Sequence, residues 1–417
     1  MRSARAAPSE KPRKANDLTA APHQPGRPLS VLQVLEPSGG GSGRHFIDLC
    51  GGLAEQGHAV TAVYSPVRAE ARFVEDLLSR NLHRVIALPM RRAVGPWDAV
   101  AWWQLREIIK REGPFDIIHG HSSKAGALTR LRLPGRHAPR VYTPHAFRTM
   151  DPTLGSKGRL VYGAVERFLG RHLSERVICV SDSEYDHAIS LGIPAEKLRV
   201  VVNGVAPVPS DRRAELRAGW GIPDEAVVFG FVGRLQPQKA PERLIAAFTR
   251  MAPQMPQAHL LMIGSGEMEA ELRRQIAATG LSDRICLTAE LSGNDAIQAF
   301  DALVMPSRYE AMSYVMLEAA TAGKPLILTE VGGVTTVLEH GVNGLLVGNH
   351  DDPTDLTAAM AALGDPATRA RLSAGALARA GRYGLDVMVS RTLAVYRELV
   401  APPTELILGD TAAYSGS

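Results

Sequence analysis

Residues 227–251 read VVFGFVGRLQPQKAPERLIAAFTRM and indicate the fold class by themselves. The apolar run rich in valine and phenylalanine predicts a buried strand, and the glycine and polar residues after it predict a loop. From Pro241 onward the apolar residues recur at helical spacing. The segment is therefore predicted to be one strand–loop–helix unit, which in repeated form builds a parallel sheet covered by helices.

The same alternation continues on both sides of this unit. Predicted strands of the first half are Leu29–Leu35, Ala59–Tyr64, Val85–Leu88, Ile117–His119, Arg140–Thr143, Val177–Ser181 and Leu198–Val202. Those of the second half are Val227–Gly233, His259–Ile263, Ile285–Thr288, Ala302–Met305, Pro325–Thr329 and Leu345–Val347. Predicted helices between them include Arg44–Gln56, Trp97–Arg111, Gly158–His172, Pro241–Met251 and Tyr314–Ala322. The sequence thus predicts an α/β fold of two Rossmann-like domains that face a central cleft.

The predicted boundaries follow from changes in composition. A basic tail covers residues 1–28, a first domain 29–205 and a second domain 206–385; a C-terminal helix covers 386–400, and a second tail covers 401–417. Both tails are predicted to be disordered, because they are rich in small, polar and proline residues.

Composition and charge exclude several classes of protein. The chain of 417 residues is 45% apolar and 22% charged, a globular balance, and it has no apolar run long enough to span a membrane. Its three cysteines are far apart, which favours a reduced, cytoplasmic protein without structural metal. Residues 1–206 carry 29 Lys/Arg against 19 Asp/Glu, whereas residues 207–417 carry 18 against 24. This asymmetry predicts that the first half meets an anionic partner, and the absence of basic patches interleaved with aromatics argues against nucleic acid.

Two glycine-containing loops follow predicted strands and are candidate phosphate sites. Ser38–His45 contains Gly40 and Gly41 but matches neither the Walker nor the dinucleotide pattern. Gly230–Lys239 contains Gly233 and places Arg234 and Lys239 above a strand end, where two cations suit a diphosphate.

A pair of carboxylates and a pair of glycines complete the second-half pattern. Glu310 precedes a predicted helix that Ser313 is expected to cap, and Glu318 lies within it, so both carboxylates are expected to face the cleft. Carboxylates placed in this way accept hydrogen bonds from sugar or ribose hydroxyls. Gly332 and Gly333 follow a strand end and are a further candidate phosphate cradle.

Histidines mark the first half. His119 and His121 are two residues apart on a strand and therefore point to one face, with His145 downstream. A metal site is one reading, but a hydrogen-bonding role in an acceptor cleft is favoured, so no metal is predicted.

Taken together, the motifs resemble those of a known family. The second half carries, in order, Val232-Gly-Arg-Leu with Lys239, the Glu310/Glu318 pair, Ala322-Gly-Lys-Pro-Leu-Ile, Gly332-Gly333-Val and Asn343-Gly-Leu-Leu-Val. This set is similar to that of the family-4 retaining glycosyltransferases of GT-B architecture. In the first half, Ile118–Gly126 and Tyr142–Phe147 are also similar to this family, and the segment His119–Gly126 resembles the bacterial exopolysaccharide and capsule type.

The resemblance implies roles for these residues. A nucleotide-sugar donor would bind the second domain, and no cofactor is implied. Catalytic roles fall to Arg234, Lys239, Glu310 and His145; donor binding adds Gly40, Gly41, Gly233, Glu318, Gly332 and Gly333; the acceptor cleft takes His119, His121 and Lys124. The acceptor would be a saccharide, either free or linked to polyprenyl diphosphate. The enzyme would be cytoplasmic and would reach a lipid-linked acceptor at an anionic membrane surface. Metal-independent transfer of a hexosyl unit with retention is the implied reaction.

Two alternatives remain open at this point. A nucleotide-sugar epimerase of the same architecture would carry the same phosphate-binding cations, without the full pair of spaced glutamates. A non-catalytic sugar-nucleotide-binding protein would look nearly the same in sequence and would bind the donor without turnover.

Overall fold

The computed structural model describes residues 26–135, 137–209, 211–291 and 293–400. The predicted tails therefore fall almost wholly outside the described residues, apart from residues 26–28.

A seven-stranded parallel sheet forms the centre of the first half, in the order β3-β2-β1-β4-β5-β6-β7. Its strands are β1 (Ser30–Leu35), β2 (Ala59–Tyr64), β3 (Arg84–Ala87), β4 (Ile117–His121), β5 (Arg140–Thr143), β6 (Arg176–Cys179) and β7 (Leu198–Val200). The central strands are buried on both faces, which explains their nearly continuous apolar sequence.

A six-stranded parallel sheet forms the centre of the second half, in the order β10-β9-β8-β11-β12-β13. Its strands are β8 (Val227–Val232), β9 (Ala258–Ile263), β10 (Ile285–Thr288), β11 (Ala302–Met305), β12 (Leu326–Thr329) and β13 (Gly344–Val347). Every predicted strand is present in one of the two sheets, with ends shifted by at most two residues. The prediction of an α/β fold with two Rossmann-like halves is confirmed.

Helices cover both sheets. In the first half they are α1 (Gly40–Glu55), α2 (Ala71–Ser79), α3 (Trp97–Glu112), α4 (Ser122–Arg130), α5 (Ser156–His172) and α6 (Asp182–Ser190). In the second they are α7 (Arg213–Gly219), α8 (Pro241–Met251), α9 (Glu269–Thr279), α10 (Gly293–Ala299), α11 (Tyr314–Thr321), α12 (Val334–Val337), α13 (Thr354–Ala362), α14 (Pro366–Leu377) and α15 (Leu385–Val400). Because α4, α5 and α6 connect strands that progress in one direction across the first sheet, right-handed crossovers place them on the same face.

The last helix returns to the first half. Met388, Val389, Leu393 and Tyr396 of α15 belong to the same apolar core as β1 and α1. Two ion pairs hold its end, from Arg176 and Arg199 to Glu398, at 3.3 and 2.8 Å. The C-terminal residues are thus structural members of the first half.

Candidate active site

A cleft between the two halves lies at the carboxyl ends of the central strands. It contains a cavity of about 500 Å³ whose walls come from both halves. Gly40, Arg44 and Asp48 of α1 line one side, and Val232 and Glu318 line the other. A cleft in this position is the usual ligand site of paired open α/β sheets.

The first glycine loop is shorter than predicted. Helix α1 begins at Gly40 instead of Arg44, so Gly40 and Gly41 form its first turn. Gly40 has a φ of 58°, a conformation that favours glycine, and no atom lies within 4 Å of where its Cβ would be. A Cβ on Gly41 would come 3.8 Å from the Tyr314 ring of the second half. The amino end of a long helix therefore opens onto the cavity.

Glu318 is held by an arginine from the opposite half. The Arg44 guanidinium donates to the Glu318 carboxylate, stacks 4.5 Å from the centre of the Tyr314 ring, and lies 3.6 Å from Asp48. The Glu318 side chain is only 3% exposed, so this contact satisfies a buried charge. Sequence reasoning missed Arg44, although it directly follows the glycines of the loop.

A second pair, partly buried, joins Lys239 and Glu310. Lys239 Nζ lies 2.5 Å from Glu310 Oε1, and Ser307 Oγ donates to the same oxygen at 2.8 Å. The Lys239 stem lies against Gly233, since a Cβ on that glycine would come 3.5 Å from Cγ and Cδ of the lysine. Arg234 is exposed, and within the described residues its guanidinium makes no hydrogen bond or ion pair. One oriented cation and one uncommitted cation thus lie at the carboxyl end of β8.

Gly332 and Gly333 pack against the Glu310 loop. A Cβ would come 2.4 Å from Glu310 O at Gly332 and 2.1 Å from Ala311 O at Gly333. The Gly333 N–H already donates to Ser183 Oγ of the first half at 2.9 Å. The predicted phosphate cradle is therefore partly occupied by a contact between the halves, and Ser313 makes no side-chain capping bond to α11.

His145 sits on a strained turn. His145 and Ala146 have φ values of 54° and 79°, which non-glycine residues rarely adopt. Glu184 supports this turn, because its two carboxylate oxygens accept from Ala146 N at 2.6 Å and Val180 N at 2.7 Å. Burial raises the pKa of Glu184 to about 7, against the opposing effect of these two N–H donors. Glu184 was not identified from sequence, where it follows a serine-rich segment without a distinctive pattern.

A buried chain of hydrogen bonds runs from His145 to helix α15. His145 Nε2 and His121 Nδ1 are 3.1 Å apart, and His121 Nε2 lies 2.8 Å from Gln33 Oε1. Gln33 Nε2 donates to the Tyr396 hydroxyl at 2.9 Å, and this hydroxyl lies 2.6 Å from His119 Nδ1. Because Gln33 Oε1 only accepts, His121 carries its proton on Nε2, and His145 donates through its own Nε2. The Tyr396 hydroxyl thus joins Gln33 to His119.

The predicted acceptor residues do not line the cleft. His119 and His121 point to one face as predicted, with ring centres 4.0 Å apart, but both side chains are fully buried. Both ring nitrogens of His119 are engaged, by Tyr396 and by Thr143 at 2.9 Å. Lys124 binds Asp98 at 2.6 Å and the Ala93 carbonyl at 2.8 Å. In this structure the three side chains are engaged in contacts within the first half, and their role in acceptor binding stays a prediction.

The histidine cluster favours a shared proton over a metal ion. One nitrogen each of His45, His121 and His145 lies within 4.8 Å of the others. The His121 and His145 ring planes differ by only 19°, and the ring centres lie 5.3 Å apart. The two nitrogens are separated by 3.1 Å of this distance, and the remainder is about one ring radius on each side. The two nitrogens therefore face each other along one line, whereas two ligands of one ion converge at an angle. Burial lowers the pKa of His45 to about 4 and holds the pKa values of His121 and His145 well below the usual range.

Comparison with protein families matches each half separately. Residues 39–208 match the model "Glycosyltransferase Family 4", and residues 212–379 match "Glycosyl transferases group 1". A D-inositol 3-phosphate glycosyltransferase of Kribbella flavida is 30% identical over 401 residues, which cover 86% of this chain and 90% of the relative. One of Thermobispora bispora is 32% identical and covers 70% of this chain and 72% of the relative.

Solved structures share the fold. Anabaena Alr3699/HepE in complex with UDP and glucose superposes with a TM-score of 0.73 at 22% identity, covering 89% of this chain and all of that one. WaaG, a glycosyltransferase involved in lipopolysaccharide biosynthesis, gives 0.66 at 18% identity over 89% of this chain and all of that one. Among the described residues, no helix combines the length and apolarity needed to cross a bilayer.

Proposed function

Since this chain belongs to the GT-B glycosyltransferases, with a family 4 domain followed by a group 1 domain, we propose that it transfers a hexosyl unit from a nucleotide sugar to a saccharide hydroxyl with retention. Use of a nucleotide-sugar donor follows from the family. The sugar, the acceptor and the stereochemistry are the proposal.

The observation that carries this proposal is the pair of cations at the carboxyl end of β8. Lys239 is oriented by Glu310 and Ser307, and Arg234 has no partner among the described residues. Together they suit the diphosphate of a donor, and Glu318, on the same half of the cleft, suits the ribose hydroxyls. The amino end of α1 at Gly40 adds N–H groups to the same anion.

The proposed reaction proceeds on one face of the sugar. The bond between the anomeric carbon and the diphosphate oxygen breaks, and the bond from the acceptor oxygen to that carbon forms. The acceptor proton passes to the departing diphosphate oxygen. Arg234 and Lys239 stabilise the negative charge that develops on the leaving group, and this stabilisation requires no protein nucleophile.

His145 is proposed to face the donor sugar. Its turn is fixed by Glu184, and its Nε2 proton is committed to His121. Nδ1 is then left without a proton, so this nitrogen acts as an acceptor for a sugar hydroxyl. His145 therefore orients the sugar in the neutral form that burial favours.

The acceptor is proposed to be a saccharide, carried on a polyprenyl diphosphate at an anionic membrane surface. The excess of basic residues in the first half supports this choice, because a charged carrier would meet the more basic domain. The relatives' names favour a second candidate, an inositol phosphate, whose phosphate would meet the same basic half.

A donor and acceptor screen tests the function. UDP-, GDP- and ADP-hexoses are incubated with the full chain, either alone or with a polyprenyl-diphosphate-linked saccharide or D-inositol 3-phosphate as acceptor. The release of nucleoside diphosphate and the anomeric configuration of the product are measured. We expect one donor to be turned over with retention, and equal rates in EDTA and in magnesium. Binding without turnover of any donor would contradict a transferase, and inversion or a strict metal requirement would contradict the mechanism.

A further inference from the structure

Exposed apolar side chains are distributed unevenly over the molecule. Of the fourteen large apolar side chains that are exposed among the described residues, twelve precede residue 206. Helix α5 (Ser156–His172) carries four of them, more than any other described element. This concentration on one helix calls for a partner, whereas singly scattered apolar residues do not.

The apolar residues of α5 form one continuous stripe. Leu160, Val161, Ala164, Val165 and Phe168 are all exposed and follow the spacing of adjacent helical turns. Leu160 is 75% exposed and Phe168 is 56% exposed. The opposite side of the helix, with Glu166, Leu169 and Gly170, is buried against the domain. We call the exposed side, with this stripe and its neighbouring cations, the outer face of α5.

The charged residues of the outer face are all basic. Lys157, Arg167 and Arg171 are exposed beside the stripe, and within the described residues no hydrogen bond or ion pair involves these side chains. The single carboxylate of α5, Glu166, is turned inward, where it binds Arg130 at 2.9 Å and Tyr142 at 2.9 Å. Within α5, no exposed carboxylate therefore offsets the positive charge of this face.

We propose that the outer face of α5 docks on a bilayer surface that contains anionic lipid. An apolar stripe flanked by lysine and arginine is the arrangement of helices that lie in a membrane interface, with apolar side chains among the acyl chains and cations near the headgroups. A second copy of this chain fits less well, because a symmetric contact would bring the same three cations against each other. The charge of the face thus selects anionic lipid.

The position of α5 connects this surface to the site. The helix follows β5 after the turn that holds His145, and its first turn begins eleven residues later at Ser156. Docking through α5 would keep the cleft edge of the first half close to the bilayer. Only this link to a lipid-carried acceptor rests on the proposed function; lipid binding itself does not.

Co-sedimentation with vesicles tests the proposal without nucleotide or acceptor. The full chain is mixed with vesicles of phosphatidylcholine, alone or with phosphatidylglycerol, at low and high salt. We expect binding only with phosphatidylglycerol. Leu160→Ser with Phe168→Ser should weaken it at least about tenfold, and Lys157→Gln, Arg167→Gln and Arg171→Gln together about a hundredfold at low salt.

Matched controls separate the surface from general effects. Leu377 of the second half is 57% exposed, and Leu377→Ser should bind vesicles like the wild type. Thermal unfolding of each variant checks that the fold is intact, since every substitution is at an exposed position. Equal binding by the wild type and the α5 variants, or no binding by the wild type, would overturn the proposal. If the wild type forms a dimer and does not bind vesicles, and the Leu160/Phe168 variant is a monomer, the face would instead be assigned to contact with a second copy.

The result is independent of catalysis. Donor turnover in solution is measured on the same preparations. If the α5 variants lose vesicle binding but retain turnover, the result supports the role of α5 and leaves the proposed function untouched. If the wild type binds vesicles but turns over no donor, only the proposed function is contradicted.

Discussion

The carboxylates Glu310 and Glu318 at the cleft are each matched by a cation, and the cation left over marks where a ligand anion belongs. Lys239 is tied to Glu310 and Arg44 to Glu318, whereas Arg234 has no such contact within the described residues. The two cations of β8 therefore differ in how their loss should affect stability.

We expect Arg234→Ala and Lys239→Ala each to lower kcat by about 10² or more, because each removes charge that stabilises the leaving diphosphate. Only Lys239→Ala should also lower the unfolding temperature, since it leaves the nearly buried Glu310 without its counter-ion. Steady-state kinetics and thermal unfolding measure both effects. Arg250→Ala, at an exposed position of α8, is the control and should leave kcat/KM unchanged. Near-normal kcat/KM in both site variants would contradict the assignment.

The burial of His45 makes a prediction about acid stability. Its pKa falls to about 4 in the folded state, mainly through burial, against about 6.5 in the unfolded chain. Below pH 6.5 the unfolded state therefore binds a proton that the folded state does not, so stability falls as the pH falls. Between pH 7 and pH 5 the free energy of unfolding should drop by about 2 kcal/mol more in the wild type than in His45→Gln.

Urea unfolding at the two pH values measures this difference. The comparison of two proteins is needed because Glu184, whose pKa is raised to about 7, acts in the opposite direction. Its contribution increases as the pH falls, and it cancels between the wild type and the variant. Parallel pH dependences would show that His45 titrates normally.

Among the elements, the contact between α1 and α15 depends on one small residue. A Cβ on Gly52 would come 2.5 Å from Val389 Cγ2, whereas one on the neighbouring Gly51 would meet only the flexible Arg80 side chain at 3.1 Å. The two helices can therefore approach closely only because position 52 has no side chain.

Alanine at these adjacent positions should have opposite effects. Gly51→Ala is expected to be neutral or to stabilise by up to about 1 kcal/mol, because alanine is the better helix former. Gly52→Ala is expected to destabilise by about 1–3 kcal/mol through overpacking against α15. Urea unfolding provides the comparison, and equal stability of the two variants would mean that the helices can separate without cost.

Across the whole molecule, the C-terminal helix reaches the cleft through the hydrogen bonds of Tyr396. We expect Tyr396→Phe to lower stability by about 1–3 kcal/mol, because Gln33 and His119 lose a buried partner. It should also lower kcat several-fold. Without the Tyr396 hydroxyl the Gln33 amide is no longer held in one orientation, so the protonation of His121, and hence of His145, is no longer fixed.

Tyr383→Phe is the matched control for this variant. The Tyr383 hydroxyl makes only long bonds to carbonyls, at 3.3 and 3.4 Å, so its loss should change neither property appreciably. Kinetics and thermal unfolding of both variants decide the point; unchanged kcat in Tyr396→Phe would confine Tyr396 to a structural role.

Local pattern was sufficient for the strands, because each is encoded within a dozen residues. The roles assigned to the charged motifs of the second half stay predictions. Local pattern was insufficient for helices such as α4 and α6, whose polar sequences lack a clear apolar stripe. It also missed Arg44, Gln33 and Tyr396. Arg44 meets Glu318 across 274 positions and across the cleft, and Gln33 meets Tyr396 across 363 positions within the first half, so no local pattern encodes these contacts.

The ion pair of Arg44 and Glu318 has a consequence for the order of events in turnover. On the proposed assignment, Arg44 and the ribose compete for the Glu318 carboxylate. The free energy of the Arg44–Glu318 pair therefore reduces the free energy of nucleotide binding. The donor and the spent nucleotide carry the same ribose and therefore meet the same competitor. When Arg44 pairs with Glu318 again, it helps to displace the nucleoside diphosphate. The same side chain that weakens donor binding therefore raises the turnover rate wherever product release is rate-limiting.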